Sequence, residues 1–70
     1  MLNERKKHLA LHFLGDRVAF KRNRAVDIEN LPASHDSERD MNLARAAHVR
    51  EEADALEEVM ELVLRHEVTP

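Results

Sequence analysis

The sequence predicts an all-α fold, an antiparallel helical hairpin that dimerises into a four-helix bundle. Three observations lead there. The stretch HVREEADALEEVMELVLRHE places apolar residues at Val49, Ala53, Leu56, Met60 and Val63, in steps of four, three, four and three. That spacing is the seam of a helix packed lengthwise on other helices. One glycine and two prolines punctuate 70 residues, and one of those prolines ends the chain. Finally, Phe13 and Phe20 are the only aromatics and there is no cysteine. A chain this short makes one domain at most, and its core is marginal without disulfides, metal or association. Alanine supplies much of the apolar content and buries little area, so composition favours a second copy or another partner.

The first element is expected as a helix over residues 3–28. Leu2, Leu9, Phe13 and Phe20 fall on one line of the helical wheel, and Leu11, Leu14, Val18 and Ala25 on another. The apolar arc is wide enough to touch two neighbours. Gly15 costs such a helix about 1 kcal/mol relative to alanine. The alternative is a break at Gly15-Asp16, with residues 16–28 forming a short β-hairpin that sets Val18 and Phe20 against Val26 and Ile28. No Asn-Gly or Asp-Gly turn supports that strand pair, so the continuous helix is preferred.

Residues 29–37 collect Asn, Pro, two Ser and Asp between two periodic segments, and are expected as the loop. Leu31 precedes Pro32 and is turned away from the helical region. Beyond it, Ser37 followed by Asp40 has the form of a capping box, with Ser34 or Asp36 as alternative caps. Residues 38–66 contain no Gly or Pro and are rich in strong helix formers. A helix of that span is about 43 Å long at ~1.5 Å per residue. Its seam runs back through Ala46 to Asn42. The alanines at 44, 46, 47, 53 and 55 permit close approach toward its N-terminal half. Its opposite face is acidic, with Glu51, Asp54, Glu58 and Glu61. Two pairs at i,i+4, Glu61 with Arg65 and His48 with Glu52, add support. In the expected bundle, Leu9, Phe13, Val18 and Phe20 oppose Val49, Ala53, Leu56, Met60 and Val63.

The net charge is −3, but it is unevenly spread. Residues 1–30 hold seven Lys/Arg against four Asp/Glu, and residues 31–70 hold four against ten. The halves attract each other, within a hairpin or across a dimer, or else serve an outside partner. The longest apolar runs are three residues, such as Leu62-Val63-Leu64, far below the ~20 a spanning helix requires. No continuous apolar stretch of signal-peptide length follows the early basic residues. A mature, soluble, cytoplasmic chain is therefore expected, and the absence of cysteine fits a reducing compartment.

Three residue sets qualify as candidate sites. Glu4, His8, His12 and Asp16 lie four apart on one stripe, and two histidines one turn apart can share a metal ion. An ordinary solvated stripe with Glu-to-His pairs has the same spacing, so no metal or other cofactor is expected. Arg17, Lys21 and Arg24, with Arg22 nearby, form a basic row of the kind that neutralises phosphates. Against nucleic acid stand the acidic whole and the lack of interleaved aromatics; the same row can instead meet the acidic second helix. The acidic stripe is the third set, suited to a basic protein partner or simply to solvation. Catalysis lacks its parts. The hydroxyls are Ser34, Ser37 and Thr69, none beside an oriented base. Adjacent carboxylates such as Glu51 and Glu52 do not face each other on a helix. The expected function is a non-enzymatic protein-interaction module: an adaptor, anti-factor or assembly chaperone working by helix packing. A nucleic-acid-associated regulator using the basic row is the second reading, and a metal-binding protein through His8 and His12 the third.

Overall fold

A computed structural model describes residues 2–66. Met1 and residues 67–70, with the Thr69 hydroxyl among them, lie outside the described residues. Two helices pack against each other, α1 over Glu4–Glu29 and α2 over Asp36–Arg65. No strand occurs among the described residues.

Helix α1 starts where Asn3 caps it. The Asn3 side chain accepts a hydrogen bond from the Lys6 backbone N–H at 2.8 Å, which satisfies one of the open donors of the first turn. The helix then runs unbroken through Gly15, whose φ is not positive. The strand alternative for residues 16–28 is thereby excluded. At the far end the Asn30 and Leu31 N–H groups donate to Val26 and Ile28 carbonyls at 3.1 and 3.2 Å. Pro32 follows and stops propagation.

Helix α2 begins two residues before the expected position, and the expected Ser37–Asp40 capping box does not form. His35 is the N-cap and its side chain makes no capping hydrogen bond. Two first-turn acids, Asp36 and Glu38, do the work instead. They sit at the positive end of the helix, and the Glu38 carboxylate accepts from the Ser34 backbone N–H at 3.0 Å. Ser37 is left inside the first turn, where its hydroxyl is past the capping position.

The helices run antiparallel. Lys7 reaches Leu64 at the open end, Lys21 reaches Glu52 in the middle, and Glu29 meets Arg50 near the loop. The result is a rod of 58 × 14 × 12 Å with a Cα radius of gyration of 16.4 Å. A compact 70-residue domain has a radius nearer ~11 Å. The buried hydrophobics are Val18, Ala25, Ile28, Ala46 and Ala53, and no large side chain is fully enclosed. Ala25, Ile28 and Ala46 form the tightest cluster, with Val49 packed on it.

On α2 the packed seam follows the expected spacing: Asn42, Val49, Leu56, Met60 and Val63 are half-buried around the buried alanines. On α1 the expected line is not the one that packs. Of Leu9, Phe13, Val18 and Phe20, only Val18 is turned into the hairpin; the other three are more than half exposed. The second line packs instead, with Leu11, Leu14, Val18, Ala25 and Ile28 facing α2. Lys7 and Lys21, both half-buried, continue its four-three spacing. The physical reason is size. Ala46 and Ala53 have no exposed surface, so the helices lie too close for a phenyl ring between them, whereas Val, Ala and lysine stems fit.

Candidate functional site

The two long sides of the hairpin differ in chemistry. One is closed by ion pairs. Arg22 donates through Nη2 to Asp54 Oδ1 at 3.1 Å and through Nε to Glu57 Oε1 at 3.2 Å. Arg50 of α2 pairs with Glu29 of α1. These residues recur at 22 and 29 on α1 and at 50, 54 and 57 on α2, so they form one stripe along the rod. Donating first to Glu57 and then to Asp54 raises the Arg22 pKa, and donating to Glu29 raises that of Arg50. Arg50 in turn holds the Glu29 carboxyl below its ordinary value.

The other side is a shallow apolar groove in two segments. The one nearer the loop, about 380 Å³, is lined by Arg24, Ile28, Ala44, Arg45, His48 and Val49. The next, about 370 Å³, is lined by Phe13, Arg17, Lys21, Glu52, Ala55, Leu56 and Val59. The α1 members step 13, 17, 21, 24, 28, and on α2 the series 45, 48, 52, 55, 59 is flanked by 44, 49 and 56. Both series hold one azimuth on a helix, so the segments form a single face. Lys21 crosses it to Glu52 at 3.1 Å, and that hydrogen bond holds the Glu52 carboxyl below its ordinary value. The Arg17 guanidinium lies 5.2 Å from the Phe20 ring centroid, within cation–π range. Phe13, one of the lining residues, is itself 64% exposed.

The basic row is therefore divided. Lys21 and Arg22 are spent on carboxylates of α2, Arg17 lies on Phe20, and Arg24 edges the groove. The charge asymmetry between the halves is used across the hairpin. The acidic stripe is divided too: Asp54 binds Arg22, while Glu61 meets Arg65 at 3.7 Å and Glu51 and Glu58 stay exposed. Both i,i+4 pairs read from the sequence are present, His48 with Glu52 at 3.8 Å being the second.

The Glu4, His8, His12 and Asp16 stripe is on the exposed surface of α1. His12 Nε2 lies 3.5 Å from Asp16 Oδ2, the pairing a solvated stripe makes. Among the described residues, no three His, Cys, Asp or Glu side chains are grouped so as to hold a metal ion. No helix there is long and apolar enough to cross a membrane.

One contact is missing from the sequence reading. Lys7 Nζ donates to the Leu64 and His66 carbonyls at 2.9 and 3.1 Å, setting a cation on the negative end of α2. The four-three continuation from Leu11 back to Lys7 was the available clue. Comparison with protein families, with curated proteins and with solved structures finds no match for this chain.

Proposed function

We propose that this chain is a small non-enzymatic interaction module, an adaptor, anti-factor or assembly chaperone of the cytoplasm, that works by helix packing and pairs with itself in a four-helix bundle. One observation carries the reading: the hairpin encloses five hydrophobic side chains while ten large ones remain exposed among the described residues. A two-helix layer has one buried seam, and a second layer is the ordinary way to cover the remaining apolar surface. An exposed apolar face with a charged rim is also what a helical partner would use.

Sedimentation and light scattering across a concentration series test the self-association. A dimer mass with a melting temperature that rises with concentration is expected. A monomer of 8.1 kDa that melts cooperatively at all concentrations would contradict it. Leu56, half-buried in the seam and lining the groove, gives the matching substitution. Leu56→Asp buries an unpaired charge and is expected to dissociate and unfold the protein together; a folded Leu56→Asp monomer would separate the two events. Capture from the native host with mass spectrometry then identifies any heterologous partner.

A further inference from the structure

The groove is basic on a chain that is acidic. Its charged lining is Arg17, Lys21, Arg24 and Arg45 against one carboxylate, Glu52, which Lys21 already holds at 3.1 Å. His48 adds a further basic group. Arg24 and Arg45 are exposed, and neither has an ion-pair partner among the described residues. Arg17 rests on the Phe20 ring. A surplus of three positive charges thus lines one face of a chain whose net charge is −3. On the opposite side Arg22 and Arg50 are matched by Asp54, Glu57 and Glu29.

Between these cations the groove is apolar. Ile28 and Val49 line the segment nearer the loop, and Leu56 and Val59 the next. On both helices the centres of the two segments are about nine residues apart, or ~14 Å at ~1.5 Å per residue. A straight trough walled by two helices takes a third helix, ridge into groove. An occupant of about four turns sets an apolar side chain in each segment. Its flanking positions then run beside Arg17 and Arg24 on one wall and Arg45 on the other.

The sign of the face selects among occupants. A second copy docked symmetrically brings the same patch onto itself, cations on cations. Nucleic acid meets the cations through its phosphates but leaves the apolar lining wet. A lipid surface is reached by apolar groups that project beyond the charged ones, whereas Ile28 is buried and Val49 and Leu56 are half-buried beside exposed arginines. A helix with an apolar stripe between acidic flanks satisfies both the lining and the charge.

We infer that the groove docks an acidic amphipathic helix of a partner protein, with the apolar stripe of that helix on Ile28, Val49, Leu56 and Val59 and its flanking carboxylates on Arg17, Arg24 and Arg45. The inference rests on the interaction-module reading above and adds the face used and the chemistry of the partner.

Two fluorescein-labelled synthetic peptides of about 15 residues, or four turns, provide the test. They share a leucine stripe at helical spacing and differ in its flanks, glutamate in one and lysine in the other. Fluorescence anisotropy at low salt is expected to show the glutamate peptide binding at least about tenfold more tightly, with the difference shrinking as salt is added. Arg24→Glu/Arg45→Glu is expected to reverse the preference, and Val59→Gln to weaken the glutamate peptide without reversing it. All three positions are exposed, so circular dichroism of the variants is expected to stay helical. Equal binding of the two peptides, binding of neither, or a preference that survives the charge reversal overturns the inference. So does a short DNA duplex or a phosphatidylserine vesicle that binds more tightly than the glutamate peptide through the same arginines. Open-ended oligomers of the native chain that the charge reversal dissolves overturn it as well, since its own acidic helix then fills the groove. Sedimentation of the native chain reads self-association separately: a dimer that binds neither peptide sinks the groove alone, and a monomer that binds neither sinks both readings.

Discussion

Two kinds of residue set the local energetics, and Gly15 is the first. It lies mid-helix with ordinary φ, and a Cβ there would make a normal contact with Met60 Cε at 3.7 Å. Nothing in the fold requires glycine, so Gly15→Ala is expected to stabilise the hairpin by about 0.5–1 kcal/mol, read as a higher urea midpoint with unchanged slope. Glu29 and Glu52 are the second kind. Arg50 and Lys21, through hydrogen bonds first and charge second, hold these carboxyls below the ordinary value of 4.5. A carboxyl with a depressed native pKa binds fewer protons folded than unfolded. Its stabilisation is complete above about pH 4.5 and is lost as pH falls through the native value. Helicity followed by circular dichroism is therefore expected to fall in this acid range. Both pairs are partly open to solvent, so added salt is expected to flatten the transition.

At the scale of the element, the helices differ in how far their sequences disclose them. Helix α2 was legible along its length because its seam, Asn42 to Val63, stands against an acidic back. Its start was misplaced by two residues because several consecutive polar side chains can each cap a helix, and the choice depends on which carboxylate reaches back. Helix α1 shows two apolar lines, and periodicity alone cannot rank them. The aromatic line has more surface to bury, yet the smaller line packs, because α2 presents alanines that demand close approach. The lysines at 7 and 21 disguised that line, since their stems pack while their ammonium groups reach outward. Of the candidate sites, the inward use of Lys21 and Arg22 was legible as charge asymmetry, but which arginines stay free depends on azimuth relative to the seam. The close approach has its own test. Ala53→Leu is expected to wedge the helices apart and cost about 1–3 kcal/mol by overpacking; an unchanged denaturation midpoint would show the seam to be looser than described.

For the whole molecule, length dominates. The rod spends its apolar surface on one narrow seam, and its radius of gyration of 16.4 Å leaves most side chains near water. The buried positions fall within 18–28 and 46–53, the half nearer the loop, while Leu11, Leu14, Met60 and Val63 at the other end are only half-buried. The contacts nearest the loop join residues about 21 apart in sequence, as in Arg50 with Glu29, whereas the Lys7 to Leu64 bridge spans 57. Early closure favours the shorter spans. The hairpin thus behaves as a zipper with its slider at the Pro32 bend, and it peels from the opposite end, where the Lys7 ammonium is the last tooth. Amide hydrogen exchange resolved by residue is expected to show protection declining steadily from Ala25 and Ala46 toward Leu11 and Val63. Replacing Lys7 with methionine is expected to quicken exchange at the frayed tip and leave the bend untouched.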